Sequence, residues 1–460
     1  MYIERLELHN FKCLKNLGLD FSKITVLTGA NSSGKSSVIY GLLGALQTNG
    51  FPFFFSPNGN FVDMGDFKEM VFHHNNKDNI GIVLKITDTE LGDLYTEAKY
   101  YENYKNKMPR LLSLLHRSNV LELQIEKFKK YKAELKYSPQ EDHYAELASS
   151  EDFADVMNAL IRIVAKEREQ ESETSKKNQH ELTKEEMVNL LTFKESEVFF
   201  SFLKPEDFPV ELWKQIKSMG IGAFRQVLNL FSKINDINNN FNYLSSYRYP
   251  PARTYYQSSK ADLKVGKYGE NYIDQISAWD FSRSGELDKL KQYMREFELL
   301  NDIRTKRMRG GRFDIEVQVD KVSVKSPLVD VGFGVSQLLP IIIADLQLGK
   351  KSTLAISQPE IHLHPSVQAQ LANYFAERVL TDEKRYIIET HSEYFLNRLR
   401  LLRAKGVLDE NDLSIIYLRN TEDGALSFDI TFSDDGQIHG APNDFFDTYM
   451  MDVMNIALEA

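Results

Sequence analysis

Residues 29–37 read GANSSGKSS, which fits G-x-x-x-x-G-K-[ST], the pattern of a phosphate-binding loop. The apolar run ITVLT at residues 24–28 predicts a buried strand before this loop, and VIYGLLGAL at residues 38–46 predicts a packed helix after it. In such a setting, backbone N–H groups and the helix N-terminus attract phosphate groups. We expect Lys35 to reach the β- and γ-phosphates and Ser36 to hold Mg²⁺. Gly29 and Gly34 are expected because a side chain would block the close approach of a phosphate.

Three further motifs follow in the second half of the chain. Residues 330–337, DVGFGVSQ, open an apolar helix whose N-terminus is a second phosphate-binding end. Because one nucleotide already has its loop, we expect this end to close over the nucleotide of another subunit. A strand predicted at 352–357 ends in QPEIHLHP, where a carboxylate can hold Mg²⁺ or orient the attacking water. A strand predicted at 385–389 ends in THS, where a histidine can hydrogen-bond a γ-phosphate.

The elements that position these motifs are predicted from the hydrophobic pattern. Alternation over residues 2–28 predicts three strands, residues 80–86 predict a fourth, and residues 51–78 are predicted to be loop with patches of strand. Residues 89–240 are poor in glycine and rich in Lys, Glu, Leu and Tyr, and the leucine spacing from Leu111 to Tyr131 indicates amphipathic helices. We therefore predict a helical insertion at 89–240 between two halves of a core at 1–88 and 241–460. Whether this insertion is a spacer or a dimer or partner surface stays open.

Two arginine-containing segments lie between the insertion and the second group of motifs. The prolines at 250 and 251 predict ordered loop over residues 241–284, in which Arg248 and Arg253 either reach a phosphate or carboxylate across an interface or, as we favour, pair with local acids. After a helix predicted at 286–301, the basic run RTKRMRGGR at 304–312 turns into a strand predicted at 313–319. This run is the best nucleic-acid candidate of the chain, although a solvated basic turn without aromatic side chains is favoured.

Composition limits the classes of protein. The chain has 460 residues and a formal net charge of −10, which argues against a broad nucleic-acid-binding surface. Its one cysteine excludes an intrachain disulfide and fits a reducing compartment. The start lacks a signal-peptide pattern, and the longest apolar run is too short to span a bilayer. We expect a cytoplasmic protein that has no contact with a membrane.

The motifs GANSSGKSS, VGFGVSQLLP, SQPEIHLHP and ETHS together resemble ABC/SMC-type ATPases of the AAA family, in the branch of OLD-like and RecF-like proteins. The opening IERLELHNFKCLKNLGLDF is similar to the N-terminus of that branch. The QPEIHLHP box resembles a subgroup that serves two-gene anti-phage systems such as PARIS. The resemblance implies an α/β fold, with a mixed sheet flanked by helices and split by a helical insertion. It also implies ATP and Mg²⁺ as cofactors and an ATP site shared between two subunits of a dimer, with a higher oligomer left open.

The resemblance assigns roles residue by residue. The nucleotide-binding residues are Gly29, Asn31, Ser33, Gly34, Lys35, Ser36 and Ser37, together with Gly334 and Ser336, which would contact the nucleotide of the partner subunit; Ser36 is the metal ligand. The catalytic residues are Glu360, Gln358 and the switch histidine His391. Two positions depart from the family pattern: Ser357 replaces a Mg²⁺-binding acid, and Gln358 replaces the catalytic glutamate of many relatives. Turnover is therefore expected to be slow.

These features predict an ATPase that acts as a sensor and scaffold in anti-phage defence. It would control a separate effector, expected to be a TOPRIM-type nuclease, and would respond to a phage trigger protein. The effector must be a separate chain, because the acids near the C-terminus lack the TOPRIM arrangement; they are Asp429, Asp434, Asp435, Asp444 and Asp447. The alternative is a RecF-like DNA-binding ATPase of DNA repair, in which DNA would stimulate hydrolysis.

Overall fold

The computed structural model describes residues 1–48, 50–88, 92–119, 121–127, 131–137, 237–256, 264–442 and 445. The chain divides into two compact units, one formed by Met1–Leu114 with Phe231–Ala460 and the other by Leu115–Leu230. All the motifs described above lie in the first unit. The domain boundaries predicted at residues 88 and 240 stay a prediction.

An antiparallel sheet is formed by the first strands of the chain. In spatial order its seven strands begin with β2 (Leu14–Asp20), β1 (Tyr2–Phe11), β4 (Ile80–Asp88), β5 (Gly92–Glu102) and β6 (Pro109–Arg117). Apolar side chains alternate along β1, where Leu6 and Leu8 are almost fully buried. The strands predicted at the N-terminus and at 80–86 are therefore confirmed.

The second sheet carries the strands that lead to the motifs. Its order is β18 (Ile438–His439), β17 (Leu426–Phe432), β16 (Leu413–Arg419), β3 (Ile24–Gly29), β15 (Arg385–Glu389), β14 (Thr353–Ser357) and β9 (Phe241–Leu244). The five strands from β16 to β9 pair in parallel. Each residue of β3 is buried, as expected for a parallel strand covered on both faces.

Helices cover these strands. Those of the described residues are α1 (Lys35–Gln47), α2 (Phe67–Met70), α3 (Tyr272–Ser282), α4 (Gly285–Glu296), α5 (Phe333–Gln347), α6 (Pro365–Asp382) and α7 (Glu393–Ala404). Helix α5 is buried along most of its length, and Leu338, Leu339 and residues 341–343 have no exposed surface. The predicted α/β fold with a mixed sheet and flanking helices is confirmed.

The basic run at residues 304–312 lies in a small third sheet. Strand β12 (Arg312–Gln318) lies between β10 (Tyr255–Tyr256) and β11 (Asp302–Arg307), and β13 (Ser326–Pro327) also pairs with β12. The prediction of loop throughout 241–284 is wrong, because this range contains β9, β10 and α3. The prolines at 250 and 251 act only locally, and the helically spaced Tyr272, Ile276 and Trp279 are buried on α3.

The predicted helices between Leu111 and Tyr131 are also wrong. Strand β6 covers the first of these leucines, and β7 (Leu121–Lys127) pairs antiparallel with β8 (Tyr131–Tyr137). Leu123 and Ile125 are both buried, two residues apart, so the pattern has the period of a strand. The remainder of the predicted insertion, residues 138–236, lies outside the described residues.

Candidate nucleotide-binding site

The loop between β3 and α1 has the backbone that its glycines require. Gly29 ends β3 with φ 133°, and a Cβ on it would lie 2.1 Å from the backbone oxygen of Leu418 on the neighbouring strand. Gly34 precedes α1 with φ 105°, a conformation that L-residues rarely adopt. These two glycines are therefore needed by the fold of the loop itself, as well as by any phosphate that approaches it.

Lys35 begins α1, and its ammonium group faces the loop. Its Nζ donates hydrogen bonds to Gly29 O at 3.0 Å, to Ala30 O at 2.7 Å and to Ser33 Oγ at 3.3 Å. Burial lowers the pKa of the Lys35 ammonium. A bound phosphate would compete with these three neutral oxygens for the N–H groups of the Lys35 ammonium. It would make the stronger hydrogen bonds because it is a charged acceptor.

A cavity of about 690 Å³ opens over this loop. Most of the predicted site residues line it, namely Asn31, Ser33, Gly34, Lys35, Ser36, Ser37, Gln358 and His391. Its volume lies within the range of small-molecule sites in proteins. The structure thus brings the phosphate loop together with the ends of β14 and β15, as parallel strands that end at one edge should do.

Gln358 follows β14 directly and has a constrained backbone. Its φ is 48°, its N–H donates to Glu389 O at 2.6 Å, and its carbonyl accepts from Arg248 Nη2 at 2.8 Å. Gln358 and Lys35 both line the cavity. An amide can orient a water molecule in such a place, but it cannot accept a proton as a carboxylate can.

Glu360 is less directly placed than the sequence predicted. Its Oε1 accepts a hydrogen bond from the backbone N–H of His391 at 2.8 Å, and its Oε2 is buried without a hydrogen-bond partner among the described residues. Burial raises the pKa of the Glu360 carboxyl. His391 itself has a lowered pKa, because partial burial and the Lys35 ammonium disfavour its protonation. Glu360 therefore supports the His391 loop, and a catalytic role for it stays a prediction.

Ser336 and Gly334 lie apart from the residues that line the cavity. Ser336 is 2% exposed, and its Oγ donates to Phe333 O at 2.8 Å within the first turn of α5. The exposed part of this helix N-terminus is instead formed by Gly332 and Phe333. Contact of Ser336 with the nucleotide of a partner subunit stays a prediction, and it would require Oγ to leave its backbone acceptor.

Glu389 is the residue that the sequence reasoning missed. It is 4% exposed; Oε1 accepts from Ser36 Oγ at 2.9 Å, and Oε2 accepts from Ser357 Oγ at 2.9 Å. The signal was present in the sequence, because the acid absent at the end of β14 is present at the end of the next parallel strand. Within the described residues, no three His, Cys, Asp or Glu side chains form a metal-binding cluster. A divalent cation would here depend on hydroxyl, single-carboxylate and phosphate oxygens, which suit Mg²⁺.

The two arginines of the 241–284 segment differ in role. Arg253 forms a paired contact with Asp330, at 2.6 and 3.0 Å, which is the local pairing that we favoured. Arg248 does neither of the things predicted for it. It is 2% exposed and donates to the backbone oxygens of Gln337, at 3.0 Å, and of Gln358. Burial lowers its pKa to about 10, and the guanidinium joins the N-terminal part of α5 to the end of β14.

Comparisons with known proteins define the class. The chain belongs to the AAA ATPase domain family, whose model matches residues 1–396, and membership of an ATPase family implies nucleotide binding, typically with Mg²⁺. The chain is 27% identical over 117 residues to an OLD nuclease of Thermus scotoductus; the match covers 24% of this chain and 22% of that protein. The predicted membership of an AAA-type ATPase family is thereby confirmed, and the chain is similar to the OLD nuclease over about a fifth of that protein's length.

Solved structures of Smc head domains are also similar to this chain. A Smc head domain with an extended coiled coil, bound to the C-terminal domain of ScpA and derived from Pyrococcus furiosus, has 13% identity and a TM-score of 0.42 over 100% of this chain and 99% of that chain. The SMC head domain of Thermotoga maritima has 9% identity and a TM-score of 0.39 over 93% and 99%. No helix among the described residues is long and apolar enough to cross a membrane.

Proposed function

We propose that this chain binds ATP with Mg²⁺ and hydrolyses it slowly, as an ATP-controlled switch in the cytoplasm. One observation carries the proposal: a cavity of about 690 Å³ in which the phosphate loop faces Gln358, Glu389 and His391. Lys35 would bind the β- and γ-phosphates, and Ser36 would hold Mg²⁺ together with phosphate oxygens. The metal ion would neutralise charge on the phosphates.

Slow turnover follows from the groups that could activate water. Gln358 is an amide, and Glu360, whose Oε1 accepts from the backbone N–H of His391, is not among the residues that line the cavity. A positioned general base contributes roughly 10²- to 10⁴-fold to a rate. Without one beside the γ-phosphate, we expect turnover well below ~1 s⁻¹.

The switch would operate through assembly of two copies. We propose that the exposed N-terminus of α5, at Gly332 and Phe333, closes over the triphosphate bound by a partner subunit. Helix N-termini favour phosphate because unpaired N–H groups and the dipole point toward it. Arg248 supports this proposal, because it ties α5 to the end of β14, where Gln358 lines the cavity.

The output would be control of a separate effector. The likeness to an OLD nuclease over 117 residues and the motif resemblance to ATPases of two-gene anti-phage systems support a nuclease effector, of TOPRIM type, and a phage trigger protein. The test is co-expression with the product of the adjacent gene, followed by mass measurement of the complex with ATP and with ADP. We expect a stable complex that depends on the bound nucleotide. Separate elution of the two chains under both conditions would contradict the proposal.

A RecF-like DNA-binding ATPase is the second candidate, and one observation favours it. Two exposed rings that are distant in sequence from the basic run lie beside it: Arg307 lies 4.7 Å from the Phe281 ring centre, and Arg312 lies 5.0 Å from that of Tyr256. Glu316, however, pairs with two other cations of the run, Arg304 and Lys306. Duplex DNA that stimulates hydrolysis in wild type, but less in Phe281→Ala, would support this candidate.

A further inference from the structure

The second sheet places Glu389 next to the position where a metal-binding acid is absent. Strand β15 lies between β14 and β3, and Ser357 and Glu389 are direct partners in the parallel register of β14 and β15. Strand β3 leads into the phosphate loop, and Glu389 is opposite Leu27 in its pairing with β3. An acid at the end of β15 is therefore one strand nearer to the phosphate loop than an acid at the end of β14 would be.

The contacts of Glu389 point to a cation. The carboxylate is 4% exposed, and it accepts one hydrogen bond from each of two neutral hydroxyls, at Ser36 and Ser357. Among the described residues, no Lys, Arg or His is within ion-pair distance of it, and the Lys35 ammonium interacts with it only through space. A buried carboxylate is costly without a paired cation, and two neutral hydroxyl donors with a more distant ammonium compensate it only in part. One of these donors is the hydroxyl that the loop would offer to Mg²⁺.

We propose that Glu389 supplies the protein carboxylate of the Mg²⁺ site, in place of the acid that is absent at Ser357. This inference rests on the proposed ATP site. Ser36 and Glu389 are then the two protein groups that serve the metal. Ser357 is a positioning residue, because its Oγ holds Oε2 of Glu389 while Oε1 faces Ser36. The sequence pattern of serine at the end of β14 and glutamate at the end of β15 is, on this account, an exchange of one metal-binding acid between neighbouring strands.

The test compares ATP affinity with Mg²⁺ and with EDTA by calorimetry. Wild type is expected to bind ATP more tightly with Mg²⁺. The Mg²⁺-linked gain is the factor by which Mg²⁺ increases the affinity for ATP. In Glu389→Gln, this factor should shrink by at least ~10-fold, because loss even of an outer-shell partner costs 10- to 100-fold in metal affinity. Affinity in EDTA should stay within about 3-fold of wild type or increase, because a negative charge near the phosphates is removed. Glu102→Gln, at a glutamate on β5 that is 5% exposed and does not line the cavity, is the matched control, and it should keep the Mg²⁺-linked gain in ATP affinity.

Two further variants separate a metal role from a structural one. In Glu389→Gln, a second change, Ser357→Asp, returns a carboxylate to β14 and should restore part of the Mg²⁺-linked gain. If Glu389→Gln does not fold, Glu389→Asp keeps the charge but withdraws it by one methylene, and the gain should fall by about 3- to 10-fold. An unchanged Mg²⁺-linked gain in the folded Glu389 variant would overturn the inference. A wild-type chain that binds no ATP under either condition would overturn the proposed function, and this inference with it.

Discussion

Replacement of Gln358 by glutamate tests the slow-turnover proposal, because it adds a base at a fixed position. The backbone there is held on both sides, by the 2.6 Å bond from Gln358 N–H to Glu389 O and by the 2.8 Å bond from Arg248. The substitution therefore changes the chemistry of the side chain with little change in its place. A general base contributes roughly 10²- to 10⁴-fold, or about 3 to 5 kcal/mol of the activation barrier.

One effect opposes this gain, namely repulsion between the new carboxylate and Glu389. At an effective dielectric constant of 20, two like charges across a cavity of this kind repel by roughly 2 kcal/mol. The ammonium of Lys35, which also lines the cavity, offsets part of this repulsion. We therefore expect Gln358→Glu to raise turnover by about 10-fold or more, the lower end of the base contribution after this loss.

The assay is steady-state phosphate release at saturating ATP, with ATP affinity and Tm measured for each protein. Gln358→Leu is the control, since it removes the hydrogen bonds of the amide and should turn over more slowly than wild type. Turnover by Gln358→Glu at or below the wild-type rate, with unchanged affinity and Tm, would refute the reasoning. Water would then not be activated from the end of β14.

Three further predictions concern neighbouring parts of the site. Glu360→Gln, whose amide oxygen can still accept from the His391 N–H, should keep ATP binding and leave the residual phosphate release within about 3-fold of wild type, whereas a ~10²-fold loss would show that Glu360 is the general base. Gly332→Glu, whose new Cβ meets no atom within 4 Å, should weaken an ATP-dependent dimer by ~10-fold through charge repulsion, whereas Gly349→Glu, equally open, should not; equal masses by light scattering would contradict this. In the nucleotide-free chain, the NMR midpoint of His391 should lie below its ordinary value of 6.5, so that the ring is neutral at pH 7; a midpoint above 6.5, assigned with His391→Asn, would contradict the stated causes.

What the sequence could predict depends on how local the interactions are. The phosphate loop was predictable because strand, glycines and helix are contiguous between residues 24 and 47. That Gln358 and His391 lie at the same cavity was also predictable, because each residue follows a strand of similar length that ends in a polar motif. The contact of Glu389 with Ser36 joins positions 353 residues apart and depends on the order of strands in the sheet, which the letters do not carry.

The two wrong element predictions have different physical reasons. Between Leu111 and Tyr131, several leucines satisfy both a helical and an alternating spacing, and pairing between strands decided in favour of the latter. For residues 241–284, the two prolines restrict only themselves and the residues before them, so strands and a helix form in the rest of the segment. The burial of Ser336 inside the first turn of α5 also could not be predicted, because the start of that helix at Phe333 sets it.

The central claim is that the loop around Lys35 binds the phosphates of ATP. Titration calorimetry with Mg²⁺-ATP on wild type, Lys35→Ala and the surface control Lys350→Ala tests this claim most directly. Lys35 is the cation of the loop that lines the cavity, so its removal should weaken binding by at least ~10-fold, or about 1.4 kcal/mol. Lys350→Ala, which removes a side chain that is 74% exposed, should bind as wild type does. Equal affinity of Lys35→Ala and wild type would contradict the assignment of this site.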